Sequence, residues 1–73
     1  MVAEATSQRI GRLVREERRR QGLDQRALAL VANVGVRSVH RVEVGEPTVR
    51  FDVITRILAA LGLDLDVKRR SRA

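Results

Sequence analysis

The sequence predicts a small, mainly α-helical domain of four to five helices with one short β-strand at its C-terminal end. Three observations carry that reading. Apolar residues recur at helical spacing through most of the 73-residue chain, and Gly22, Asn33, Gly45 and Gly62 punctuate the periodic stretches. Near the end the period changes, as Leu63, Leu65 and Val67 alternate with Asp64, Asp66 and Lys68. Hydrophobic residues make up 44% of the chain, enough to build one core, and a chain of this length has room for one domain.

Thr6 and Ser7 offer an N-cap for a first helix running to about residue 21, with Ile10, Leu13 and Val14 as its apolar stripe. Gly22 stands where a residue of positive φ ends a helix. Asp24 caps a second helix over about 25–32, with Leu28, Val31 and Ala32 turned inward. Asn33 sits at a tight turn, where Asn tolerates the left-handed conformation better than most residues. Gly35 opens a third helix over about 36–44, with Val39 and Val42 inward, and Gly45 stops it. Glu46, Pro47 and Thr48 form a turn in which Thr48 is the expected N-cap of a fourth helix, about 49–61. Phe51, Ile54, Ile57, Leu58 and Leu61 share one face of it, so Phe51 and Leu58 are expected in the core. The chain therefore divides into an N-terminal arm (1–8), a helical domain (9–62), a strand (63–68) and a basic tail (69–73).

A lone strand leaves its backbone donors and acceptors unpaired. Pairing with the same strand of a second copy satisfies them and buries Leu63, Leu65 and Val67; the alternative is an apolar tail packed on its own core. Small size also favours a dimer, because a single core in so short a chain rarely supplies more than about 3–5 kcal/mol.

Charge narrows the partner. Fifteen Lys+Arg against nine Asp+Glu give a formal charge of +6. The basic residues concentrate in two blocks, 9–20 and 68–72, around a nearly neutral centre. A pI near 11.6 points to a polyanion partner, with a merely solvated basic surface as the alternative. A membrane surface is a weaker rival, because the first helix carries no Trp or Phe on its apolar side. The longest apolar run is far short of a membrane span, and no signal peptide is evident, so a cytoplasmic location is expected. The absence of Cys excludes disulfides and thiolate chemistry. With His40 the only His, no metal site or other cofactor is expected. No partnered nucleophile, acid–base pair or phosphate loop is present, so the chain is not expected to be an enzyme.

The second and third helices are joined by a very short connection, as in motifs that present one helix to the DNA major groove. Arg18, Gly22-Leu23-Asp24-Gln25, Leu28-Ala29, Val34, Ser38-Val39, Arg41-Val42-Glu43 and Gly45 together resemble the XRE (Cro/CI-type) helix-turn-helix family, with its spacing and no gap. Asp24 replaces the family's usual Thr, Asn33 its Gly, and Gly35 its Ser or Thr cap. The last costs only a few tenths of a kcal/mol. The continuation Pro47-Thr48, Ile57-Leu58, Leu61-Gly62-Leu63-Asp64-Leu65 resembles the HipB-like antitoxin branch.

The resemblance implies a lambda-repressor-like fold and a dimeric, nucleoid-associated bacterial repressor on a palindromic operator. A HipA-like kinase toxin is the implied protein partner. A standalone regulator, or a module whose main role is toxin neutralisation, stays open. It further implies base contacts from Val36, Arg37 and Arg41, since Arg can grip guanine O6 and N7 with two hydrogen bonds and Val can meet a thymine methyl. Phosphate contacts fall to Gln25, Ser38, His40 and Arg50. Arg18 and Glu43 are implied as a structural ion pair that braces the motif.

Overall fold

The computed structural model describes residues 4–71. It contains four helices among them: α1 (Thr6–Arg20), α2 (Gln25–Ala32), α3 (Val36–Glu43) and α4 (Phe51–Ala60). Helix α3 packs against the other three, and α2 also packs against α4. Val14, Leu28, Ala29, Ala32, Val39, Val42, Ile57, Leu58 and Leu61 form the shared core. Full burial of a side chain such as Leu28 or Ile57 contributes roughly 1.5–3 kcal/mol.

All four helices end in the same way. Each is followed by one residue of positive φ: Gly22, Asn33, Gly45 or Gly62. At each stop the N–H of the next residue reaches back to a carbonyl one full turn inside the helix. The pairs are Leu23 to Arg18 (3.1 Å), Val34 to Ala29 (3.0 Å), Glu46 to Arg41 (3.0 Å) and Leu63 to Leu58 (2.8 Å). This is the Schellman closure, in which the residue after the left-handed position normally adds an apolar contact back to the helix. Leu23, Val34 and Leu63 pack against the core in that way; Glu46 is the exception.

The helix starts differ from expectation at two places. Helix α1 begins at Thr6 because the Ala5 carbonyl already accepts the Arg9 N–H at 2.9 Å. Neither Thr6 nor Ser7 caps it, and the segment 1–8 is helical from its sixth residue; residues 1–3 lie outside the described residues. Thr48 does not cap α4. Its hydroxyl instead accepts from Arg41 Nη2 at 3.3 Å, and α4 starts at Phe51 with Arg50 as an N-cap that makes no side-chain cap bond. Asp24 caps α2 as expected, accepting the Ala27 N–H at 2.7 Å.

Two expected core residues are outside it. Helix α2 buries Leu28, Ala29 and Ala32, and Val31 lies about 100° around the helix from the middle of that arc. It is 64% exposed. Phe51 shares a face with Leu58 but precedes it by two turns. That places it past the edge of the core, 66% exposed, beside a groove also lined by Leu65 and Val67. Residues 63–71 form neither helix nor strand within this single chain. A strand needs a ladder partner, and one copy of a lone segment has none. Leu63 is tied to its own core, whereas Leu65 and Val67 are exposed. The basic tail is described only as far as residue 71.

Candidate nucleic-acid interface

Two eight-residue helices and a three-residue connection make the site. The connection turns on Asn33, at φ 57° and ψ 48°, and then extends through Gly35, which caps α3 with no side-chain bond. Val39 and Val42 anchor α3 in the core. Val36, Arg37, His40 and Arg41, at i, i+1, i+4 and i+5, then share the opposite face. Val36, Arg37 and His40 are exposed and Arg41 is half-exposed. Ser38 lies on the flank and is half-buried.

These side chains are held in different ways. Among the described residues Arg37 makes no ion pair and no side-chain hydrogen bond. Arg41 pairs through Nε with Glu46, and its Nη2 donates to Thr48. Arg50, on the following loop, pairs with Asp52 at 3.1 Å and stays exposed. Gln25, at the start of α2, donates its amide to Glu43 Oε1 at 3.2 Å. Its side chain is thus engaged inside the protein.

Behind this face sits a buried ion pair. Arg18 donates from Nε to Glu43 Oε2 at 2.6 Å and from Nη2 to Glu43 Oε1 at 3.0 Å. Its Nη1 donates to the Leu23 carbonyl at 2.8 Å. The two side chains are only 9% and 3% exposed. Burial works to raise the Glu43 carboxyl. Hydrogen bonds from Arg18 and Gln25, with the charges of Arg18 and Arg15, outweigh it and hold its pKa below the ordinary value. No buried side-chain polar atom among the described residues lacks a partner.

A contact that sequence reading missed seats α1 on α3. A Cβ on Gly11 would lie 2.3 Å from the Val42 carbonyl oxygen and 2.8 Å from that of Glu43. The only signal in the sequence was a glycine inside a helical pattern, which fits a close backbone approach. Gly45, at φ 83°, closes the other side of this contact, where a Cβ would meet Gln8 Cγ at 2.8 Å. The Glu46–Arg41 pair was also missed; its signal was the placement of Glu46 directly after the helix-ending glycine.

Two short helices with a sharp left-handed turn, and a second helix with an arginine-bearing outer face, define a helix-turn-helix protein. Residues 9–71 match the model of a family described as "Helix-turn-helix domain". A protein of Sinorhizobium fredii (strain NBRC 101917 / NGR234), named as an uncharacterized HTH-type transcriptional regulator y4mF, is 41% identical over 58 residues. The alignment covers 80% of this chain and 76% of that protein. The chain belongs to the helix-turn-helix domain family, and its match to an HTH-type transcriptional regulator supports a DNA-binding, regulator-like function. No helix among the described residues is long and apolar enough to cross a membrane.

Proposed function

We propose that this chain is a homodimeric, sequence-specific DNA-binding repressor that inserts α3 into the major groove. The observation that carries the reading is the outward face of α3, where Val36, Arg37 and Arg41 stand together on a helix anchored by Val39 and Val42. In this reading Arg37 and Arg41 read guanine edges and Val36 meets a thymine methyl. His40, Ser38, Arg50 and the start of α2 at Gln25 contact phosphates and set the register. Gln25 does so while one amide N–H stays on Glu43, through the second N–H of that amide and the backbone N–H groups at the start of α2. The protein works in the bacterial cytoplasm, on the nucleoid.

Dimerisation is supported by apolar surface left open at the C-terminal end. Leu65 is 43% and Val67 91% exposed, and Phe51 lies beside the same groove. Pairing residues 63–68 with the same segment of a second copy covers this surface and satisfies the extended backbone. Two recognition helices then fall about one helical turn apart (roughly 34 Å) on a palindromic site.

The continuation from Pro47 to Leu65 supports the finer reading of a HipB-like antitoxin that represses its own operon and binds a HipA-like kinase toxin. A transcriptional regulator without a toxin stays open as a second reading, and the name of the Sinorhizobium relative, an HTH-type transcriptional regulator, is compatible with both. Co-purification with the product of the adjacent gene separates the two. The DNA-binding reading is tested by a mobility-shift titration on the gene's own upstream region against an unrelated duplex of equal length. A selective, salt-sensitive shift is expected; equal shifts on both duplexes, or none, contradict it.

A further inference from the structure

We propose that Glu46 is a positioning residue for DNA recognition, which holds the Arg41 guanidinium in a fixed orientation on α3 before DNA arrives. The inference rests on the reading of Arg41 as a base-contacting residue. Three observations carry it. The Gly45 closure ties the Glu46 N–H to the Arg41 carbonyl at 3.0 Å, so these two residues are locked together through the backbone. At the three equivalent closures the residue in the place of Glu46 is apolar and packs on the core. Only here is it a carboxylate, and its side chain pairs with Arg41 itself. The motif's usual apolar contact between these two positions is thus replaced by a charged one.

The donor count fits the role. A guanidinium carries five N–H donors. Glu46 takes the one on Nε, and Thr48 Oγ1 takes one on Nη2 at 3.3 Å. Both Nη1 donors and the second on Nη2 stay open, which is enough for a two-pronged grip on guanine. Arg41 therefore keeps its recognition capacity while losing its freedom to swing. Arg37, on the same face, has no such hold among the described residues. Pre-ordering a long side chain reduces the entropy lost on binding, and it penalises sequences that do not present a guanine at that place.

A double-mutant cycle on the full chain tests this. Affinities of wild type, Glu46→Ala, Arg41→Ala and the double variant are measured for a duplex recovered by selection from a random-sequence library and for a scrambled duplex. Loss of positioning is expected to lower discrimination by Glu46→Ala by about tenfold, a large part of what Arg41→Ala loses. Binding to the scrambled duplex tightens, because each chain has lost a negative charge. In the Arg41→Ala background, Glu46→Ala changes discrimination no further. Glu46→Gln, which keeps an acceptor at the same reach, recovers part of the loss. Thermal midpoints of the Glu46 variants stay at the wild-type value. Unchanged discrimination in Glu46→Ala, or an equal loss with and without Arg41, overturns the proposal while leaving the DNA-binding reading intact. A wild-type chain that does not distinguish the two duplexes overturns that reading and this inference together.

Discussion

Arg18 of α1 and Glu43 of α3 share two parallel hydrogen bonds, 2.6 Å from Nε to Oε2 and 3.0 Å from Nη2 to Oε1. Gln25 of α2 adds a third donor to the same carboxylate at 3.2 Å. One carboxylate thereby ties α1 and α2 to the C-terminal end of α3. This hub links the start of α2 to the end of α3, and in the proposed mode of DNA binding the spacing of the two helices decides which phosphates and bases they can meet at once.

Removing one partner of a buried pair leaves the other charge without compensation. Arg18→Ala and Glu43→Ala are each expected to lower folding stability by about 3–5 kcal/mol. The apolar double variant Arg18→Met/Glu43→Leu is expected to recover most of that loss. Arg18→Lys is not conservative here, since one ammonium cannot reproduce the two-pronged contact and the bond to Leu23. Urea unfolding of the four variants checks this; additive losses in the double variant contradict it.

The depressed pKa of Glu43 makes stability pH-dependent with a definite sign. A carboxyl held below its ordinary 4.5 contributes stability that is present above that value and lost as pH falls through the lowered one. Glu17, lowered to about 2 by hydrogen bonds from Arg20 and Gln21, acts in the same direction. The thermal midpoint is expected to stay flat from about pH 7 to about pH 5 and to fall below the ordinary carboxylate value. Glu43→Gln should start lower and fall less steeply. Parallel acid limbs for wild type and Glu43→Gln would assign the acid loss to other groups.

Gly11 sits in the middle of a helix, where Ala is normally better by roughly 0.5–1 kcal/mol. The backbone of α3 reverses that preference. A methyl group there meets two carbonyl oxygens inside contact distance, so α1 must move off α3. Gly11→Ala is expected to destabilise by about 1–3 kcal/mol. Calorimetry decides between the signs, and a raised thermal midpoint would mean that α1 and α3 are not in backbone contact.

The exposed C-terminal residues separate dimerisation from folding. Leu65→Asp and Val67→Asp alter surface positions, whereas removing Leu63 cuts into the core. Sedimentation of the wild type is expected to give twice 8.2 kDa, and both Asp variants a folded species of half that mass. Variants that remain dimeric contradict pairing through residues 63–68.

The helical part of this fold was legible because each helix ends on a residue with a physical reason to be there. Asn33 shows it most clearly, since its positive φ was expected from the turn that α2 and α3 require. The Arg18–Glu43 pair was legible through family resemblance. Inward and outward faces were less so. Val31 and Phe51 have the right spacing for burial, but the arc that a neighbouring helix covers, and how far along it reaches, are tertiary facts. Thr48 is a good cap by type; Arg41 claims its hydroxyl instead. The hold of Glu43 on Gln25 was hidden for the same reason, since the partners are far apart in sequence.

The most direct test of the central claim is selection of bound duplexes from a random-sequence library, followed by repetition with Arg37→Ala and Arg41→Ala. The account predicts an enriched inverted repeat with half-site centres about one helical turn apart (roughly 34 Å). Each Arg→Ala variant should relax the preference at one guanine per half-site, and Arg50→Ala, which removes one phosphate contact from each protomer, should weaken all sequences alike and reduce the salt slope of the dimer by about 2. Enrichment of no sequence, or a repeat whose preferences survive both substitutions on α3, would contradict it.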